Sequence, residues 1–338
     1  MSGSPRAIDG SPEQHVDRLA AASSTEAARG DPRVAERSAR QAVDAAMALV
    51  PGIKRSQLLA QSLRALGTAA RTLGRYPDSQ DAFERGLVAA IDGFGLVSLQ
   101  VAELHNDLGM TWKYAGRFHD AAESYDRARR TLEAMPAADP EDIAALYHNL
   151  GGLAHARGDL AAAEPLARRA VELRSAAVGP DDPATLLDRS AHAAIIGELD
   201  RTDEAEAEIR DLLPGLEASL GPDHPEVAVA LNNLGAILQR LGRIAEAEAL
   251  YRRVVEIKTA RLGPDAPGLA VALSNHGTAL EANGRLDEAQ ASYERALALL
   301  DGAVAPDHPS LRAIRRNLDR MHGRSRLGPA RFEEAEGS

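Results

Sequence analysis

Residues 220–251 read LGPDHPEVAVALNNLGAILQRLGRIAEAEALY, and the fold can be predicted from their pattern. Apolar side chains recur at helical spacing from residue 229 to residue 241: Val229, Leu231, Leu234, Ile237, Leu238 and Leu241. Gly242 interrupts this pattern, and a second helical pattern follows from Ala245 to Arg261. Gly263 and Pro264 end it, because glycine supplies a left-handed C-cap and proline cannot continue a helix. The stretch therefore predicts two helices joined by a tight turn.

The same pattern returns along most of the chain. Gly235 is matched by Gly277, an offset of 42 residues, and the same offset links Pro225, Pro267 and Pro309. Steps of 42 residues back from Gly235 reach Ala193, Gly151, Gly109 and Gly67. The same steps back from Gly242 reach Asp200, Gly158, Gly116 and Gly74. A fixed period of this length is typical of a solenoid in which each unit packs only on its neighbours.

Residues 220–235 and 242–251 resemble the tetratricopeptide repeat, most closely its 42-residue kinesin-light-chain-like variety. The resemblance extends over about residues 140–320 and, more weakly, back to about residue 56. It implies an all-α fold, a right-handed α-α superhelical solenoid of about seven helix pairs. We expect a divergent first repeat at 11–50, repeats over about 56–304 and a capping helix at 308–322. Residues 1–10 and 323–338 are predicted to be disordered.

Some positions depart from the repeat or mark its helix ends. In the fifth repeat Ala193 replaces the close-packing glycine and Asp200 replaces the turn glycine, so we expect this unit to pack less regularly. Ser11 is predicted to cap the first helix, and Asp223 and Asp307 to cap later ones. A shared core position is predicted for the aromatic residues Phe83, Tyr125, Tyr251 and Tyr293, and Trp112 is also predicted to be core.

Stacked helix pairs expose the first helix of each pair on an inner surface, where the resemblance places a stripe of binding positions. Small residues in this stripe, such as Ala236, leave room for a guest chain, and amides there can pair with its backbone. The predicted peptide-binding residues are Arg64, Arg71, Asn106, Lys113, His148, Asn149, Asn232, Asn233, Gln239 and Asn275. The alternative is that the asparagines bridge neighbouring helices.

Arg64, Arg71 and Lys113 predict a basic N-terminal end of this inner surface, which would suit a partner that carries carboxylates. The alternative is ordinary surface charge balanced by nearby glutamates. The chain as a whole has a net charge of −11, which argues against a general nucleic-acid-binding protein.

Cysteine is absent, so disulfides and thiolate metal sites are excluded. The first ten residues lack the apolar core of a secretory signal, and no run of 18 apolar residues predicts a membrane span. We therefore expect a cytoplasmic location and no membrane partner. Only three of the 39 basic residues are lysines, a bias that suggests a bacterial source with a GC-rich genome.

No catalytic residue, metal site or cofactor is predicted. His148 and His155 share the inner stripe but lie seven residues apart, about 10 Å along a helix, too far for one zinc ion to bridge. Neither a phosphate-binding glycine loop nor a nucleophile elbow is present. The sequence favours a non-enzymatic scaffold or adaptor that binds a protein or peptide. A peptide-sensing receptor and a peptide-modifying enzyme on the same frame are the alternatives.

Overall fold

The computed structural model describes residues 11–29 and 31–327, with the side chains of 324–327 excepted. Within this part of the chain the fold is helical, and the helices form seven consecutive pairs followed by one further helix. They are α1 Pro12–Ala28, α2 Pro32–Met47, α3 Ile53–Thr72, α4 Tyr76–Phe94, α5 Leu99–Ala115, α6 Phe118–Glu133, α7 Pro140–Ala156, α8 Leu160–Val178, α9 Pro183–Glu198, α10 Thr202–Leu220, α11 Pro225–Arg240, α12 Ile244–Leu262, α13 Ala270–Ala282, α14 Leu286–Leu300 and α15 Pro309–Leu327.

The chain divides into two compact units. Unit 1 holds the described residues up to Trp112 together with His119–Leu146, and unit 2 holds Lys113–Phe118 and the described residues from Tyr147 onwards. The predicted first repeat is present in unit 1 as α1 and α2. The predicted capping helix is α15, which continues to Leu327, past the expected end at residue 322. The C-terminal segment predicted to be disordered was 323–338, and its residues 323–327 are instead helical in α15. Residues 1–10 and 328–338 lie outside the described residues.

Helix starts follow the local sequence, with one correction. Ser11 caps α1 through a reciprocal box, because Gln14 N donates to Ser11 Oγ and Ser11 N donates to Gln14 Oε1. The predicted caps Asp223 and Asp307 are wrong. His224 Nδ1 instead accepts from Glu226 N at 3.2 Å, and a histidine in the same place caps α15. The residue directly before the helix proline has the extended backbone that the N-cap requires, which favours the histidine.

Within a pair, the early glycine lies against an aromatic ring of the second helix. A Cβ at Gly235 would lie 2.7 Å from Tyr251 Cε1, and one at Gly109 would lie 2.4 Å from the corresponding atom of Tyr125. Glycine is therefore required wherever a ring fills this place. The predicted core aromatics Phe83, Tyr125, Tyr251 and Tyr293 are all buried, as is Trp112.

The fifth repeat keeps its geometry by compensation. Ala193 occupies the glycine position and Ile209 the aromatic position, and both are completely buried. The methyl group that Ala193 adds is therefore matched by the loss of a ring at position 209. Asp200 adopts φ +62°, the left-handed conformation of the turn glycines such as Gly242 at φ +75°. Aspartate visits this region more readily than most residues, and the turn is retained.

Arginines after the turns link successive pairs. Arg243 Nη1 lies 2.5 Å from Glu206 Oε1, and Arg285 Nη1 lies 2.7 Å from Glu248 Oε1, each glutamate belonging to the preceding repeat. Arg75 contacts Glu36 in the same way in unit 1. Because the pairing recurs between repeats, it favours one stacking register for the helix pairs.

The last pair of unit 2 is covered by α15. Leu311, Ile314, Leu318 and Met321 lie on one face of this helix and are buried in a cluster with Leu273, Tyr293 and other residues of α13 and α14. In the part of the chain that is described, every helix is too short or too polar to cross a membrane.

Candidate functional site

In unit 1, a groove of about 530 Å³ is lined by α1, α3 and α5 and contains the predicted site residue Arg64. Arg64 Nε lies 2.7 Å from Asp107 Oδ2, and its Nη1 lies 2.6 Å from Glu103 Oε1. Arg71 Nη1 lies 3.1 Å from Asp107 Oδ1, and its guanidinium is 5.7 Å from the centre of the Phe83 ring. Both predicted arginines are therefore engaged by carboxylates of the next repeat.

The electrostatics of this cluster follow from burial and charge. Burial alone would raise the pKa of Asp107, but Arg64 and Arg71 outweigh it and the pKa is lowered. The pKa of Glu103 is raised, because its burial and the nearby Asp107 charge exceed the attraction of Arg64. The predicted basic end is thus wrong for Arg64 and Arg71, because Asp107 and Glu103 neutralise them.

The other two predicted residues of the third repeat, Asn106 and Lys113, are partly buried in α5. Lys113, the third cation of the predicted basic end, has no carboxylate partner among the described residues of unit 2. Its Nζ lies 5.1 Å from the centre of the Tyr114 ring and 3.0 Å from the place that a Cβ on Gly152 would take. Because Gly152 has no side chain, there is room for the ammonium group of Lys113 beside α7.

In unit 2, the asparagines form hydrogen bonds between the first helices of successive repeats. Asn233 Nδ2 donates to the carbonyl oxygen and hydroxyl of Ser190, at 3.3 and 3.2 Å. Asn275 Nδ2 donates to Asn232 Oδ1 at 2.9 Å. Asn149 is buried in α7, with 5% of its surface exposed. The alternative that the asparagines bridge neighbouring helices is therefore correct for one polar atom each of Asn232, Asn233 and Asn275. Asn232 Nδ2 and Asn275 Oδ1 have no hydrogen-bond partner among the described residues.

A groove of about 590 Å³ surrounds these amides in unit 2. Its lining brings together Asn232, Asn233, Gln239 and Asn275 of the predicted set, together with the small residues Ala194, Gly197 and Ala236. Tyr251 OH donates to Gln239 Oε1 at 3.4 Å, which orients the glutamine side chain. The lining is thus largely polar, and the three small residues lie among bulkier ones such as Arg240 and Tyr251.

Two histidines of α7 are held by carboxylates of α9. His148 Nδ1 lies 2.7 Å from Asp188 Oδ1, and the buried Asp188 also accepts from Arg174 Nε at 2.6 Å. His155 Nε2 lies 2.8 Å from Glu198 Oε1, and this bond lowers the pKa of Glu198. The carboxylates fix the ring orientations, and about a third of each imidazole stays exposed.

Across residues 11–29 and 31–327, no group of three or more His, Cys, Asp and Glu side chains is placed to hold a metal ion. The arrangement is suited to hydrogen bonding with a guest.

The sequence reasoning missed the acidic partners Asp107, Asp188 and Glu198. A signal was present for two of them, because Asp107 follows Arg64, and Glu198 follows His155, by 43 residues, the step that joins facing positions on neighbouring first helices. Asp188 faces His148 by a different step, and only the packing of α7 against α9 brings them together.

Comparison with known proteins agrees with this architecture. A family model described as the tetratricopeptide repeat matches residues 142–207, 187–260 and 227–302. Residues 142–302 belong to the tetratricopeptide-repeat family. The predicted resemblance is therefore confirmed. No curated protein matches the sequence of the chain.

Several solved structures are also similar to this chain. A Rap protein, crystallised with Competence and Sporulation Factor, is 14% identical, with a TM-score of 0.66 over 92% of this chain and 86% of that one. BtubC (BKLC) from P. vanneervenii is 19% identical, with a TM-score of 0.47 over 69% and 91% of the two chains. A Podosopora anserina protein described as a kinesin light chain is 21% identical, with a TM-score of 0.44 over 60% and 94%. The fold shared with the Rap protein confirms the predicted all-α solenoid class.

Proposed function

We propose that the chain is a non-enzymatic scaffold that binds an extended segment of another protein in the groove of unit 2. The observation that carries this proposal is the partly satisfied amide pair at the groove floor. Asn275 donates to Asn232, which leaves Asn232 Nδ2 as a donor and Asn275 Oδ1 as an acceptor. An extended backbone offers a carbonyl and an N–H group that match these two atoms.

The shape and composition of the groove support the same function. The small residues Ala194, Gly197 and Ala236 line it and leave about 590 Å³ for a guest chain. Membership of the family supports a general role in binding other proteins. The proposal that the partner binds as an extended segment is supported by the groove of unit 2. The acidic partner predicted from the basic end loses its support, since Arg64 and Arg71 are already paired.

The test compares Asn232→Ala with Asn233→Ala in cells that carry a photo-crosslinking residue at Ala236. Asn232→Ala removes a donor available to a guest, so we expect crosslinked partner to fall about fivefold or more. It also removes the acceptor of the Asn275 bond, so we expect a loss of stability of about 1 kcal/mol, as for Asn233→Ala. Asn233→Ala removes the bond to Ser190, so we expect a loss of stability of about 1 kcal/mol.

A crosslinking residue at the exposed Ala249 of α12, outside the groove, is the matched control. The proposal requires a crosslinked species from Ala236 and none from Ala249. Equal yields from both positions, or an undiminished yield with Asn232→Ala, would place the binding surface elsewhere.

A further inference from the structure

The fourth repeat lacks the aromatic ring that fills the middle of most other helix pairs. The residues at this position in the second, third, fifth, sixth and seventh repeats are Phe83, Tyr125, Ile209, Tyr251 and Tyr293. Each of the four rings lies against a glycine of the first helix of its pair, whereas Ile209 packs in a cluster with Ala193. The fourth repeat keeps the glycine, Gly151, but has Ala167 in place of the ring. Neither residue of this pair therefore compensates for the other.

A cavity of about 170 Å³ lies where this ring is missing. In the sixth repeat the ring extends from α12 to α11, because Tyr251 OH donates to Gln239 Oε1 at 3.4 Å. The corresponding residues of the fourth repeat are Ala167 and His155, and both line the cavity. The backbone of α8 lies close to α7 here, since a Cβ at Gly151 would be 3.1 Å from Ala167 N. This close approach does not fill the space between Ala167 and His155.

The apolar part of the cavity wall comes from small or aliphatic residues: Gly152, Ala167, Ala191, Ala194 and Ile195. The bonds described above already hold the polar residues of the wall, which are His148, His155, Asp188 and Asn233. A ring that enters the cavity breaks none of these bonds, and it supplies the van der Waals partners that the apolar wall lacks. A cavity of roughly 150 Å³ can hold a benzene molecule, so this one is large enough for one aromatic ring.

The cavity is continuous with the groove of unit 2. His155, Ala194 and Asn233 line both spaces. A side chain of a segment that lies in the groove can therefore enter the cavity from it.

We infer that the cavity is a subsite for an aromatic side chain, a phenylalanine or tyrosine of the segment that binds in the groove. The ring of the guest takes the place of the ring that the fourth repeat lacks. The retained glycine favours a ring over an aliphatic side chain, because a ring faces this glycine in four other repeats and isoleucine accompanies Ala193. The inference rests on the proposed function for its segment, but the binding of a ring is a property of the cavity alone.

The first test is a titration of the full-length protein with fluorobenzene, followed by ¹⁹F NMR. We expect saturable binding to the natural chain. Ala167→Phe supplies the missing ring from α8, and Ala191→Leu fills the cavity from α9, so each should lower the bound fluorobenzene at least about fivefold. Ala249→Phe, at an exposed position of α12, is the matched control and should bind like the natural chain.

Binding that does not saturate, or that persists in the cavity variants, would overturn the subsite. Ala191→Leu leaves the contact between Gly151 and Ala167 unchanged, so it decides the matter if Ala167→Phe does not fold.

The second test asks whether the guest uses the cavity, in cells that carry the photo-crosslinking residue at Ala236. Ala191→Leu should lower the crosslinked partner about fivefold or more, and Ala249→Phe should leave it unchanged. The crosslinked segment, identified by mass spectrometry, should contain phenylalanine or tyrosine.

An undiminished yield with Ala191→Leu, or a segment without either aromatic residue, would overturn the inference and leave binding in the groove intact. Equal crosslinking from Ala236 and Ala249 would instead contradict the proposed function, and fluorobenzene would still report on the cavity.

Discussion

His105 lies in α5 at a position that the second, sixth and seventh repeats fill with Leu63, Leu231 and Leu273. Its Nδ1 is buried without a hydrogen-bond partner. Burial, with the nearby charge of Arg127, lowers the pKa of His105 to about 4. An ordinary histidine in the unfolded chain titrates near 6.5, so between these values the unfolded chain binds a proton that the folded chain does not. Stability contributed by neutral His105 is therefore lost as the pH falls from 6.5 towards 4.

We predict that His105→Leu reduces the loss of stability on acidification. Leucine cannot be protonated, so the decrease in the free energy of unfolding between pH 7 and pH 4.5 should be about 1–2 kcal/mol smaller than in the natural chain. Urea unfolding at the two pH values measures it. The exposed His119→Leu serves as control and should leave the decrease unchanged. An equal decrease in the His105 variant would show that this residue is not responsible.

At the scale of the helix pair, the glycine–aromatic contact and its replacement in the fifth repeat are two solutions to one packing problem. Gly235 accepts the ring of Tyr251, while Ala193 is accommodated beside Ile209. Because both members of a contact must change together, the effects of substitution at Gly235 and Tyr251 should not be additive.

We predict that Gly235→Ala destabilises the protein by about 1–3 kcal/mol, because its Cβ would lie 2.7 Å from the Tyr251 ring. The double variant Gly235→Ala, Tyr251→Ile should lose at least about 1 kcal/mol less than the sum of the single changes. Denaturant unfolding of the four proteins gives this coupling energy. Gly235→Ala combined with Tyr293→Ile, in another repeat, should be additive. Additivity in both pairs would contradict the contact.

At the scale of the whole molecule, an array of repeats needs its last apolar face covered. In unit 2 this cover is α15, whose Ile314 is fully buried on the last helix pair. Solenoid stability is the sum of repeat and interface terms, so loss of the cap should expose the neighbouring interface and promote association.

We predict that Ile314→Asp lowers the free energy of unfolding by at least about 3 kcal/mol, because it buries an unpaired charge. We also expect association at micromolar concentration, measured by sedimentation velocity. Arg316→Asp, at an exposed position of the same helix, should change stability by no more than about 0.5 kcal/mol. A stable monomer with Ile314→Asp would mean that α15 is dispensable.

The helix pairs, their 42-residue step, the core aromatics and the capping helix all follow from the amino-acid sequence. Each of these is recorded locally, as apolar spacing, a turn glycine or a repeated position such as Gly235 and Gly277. The sequence also identified the groove amides Asn232, Asn233 and Asn275, since the register of the repeat places them on first helices.

Which of these polar groups remain available to a guest depends on the packing of the helices. Arg64 and Arg71 were predicted to make one end of the inner surface basic, yet Asp107 and Glu103 in the next repeat pair with them. His148 is held by Asp188, which in turn is held by Arg174 from α8. The physical reason is that a side chain's charge and hydrogen-bonding capacity depend on what packs within a few ångströms of it. Those neighbours come from other helices, and their rotamers are set by packing that the repeat pattern does not record.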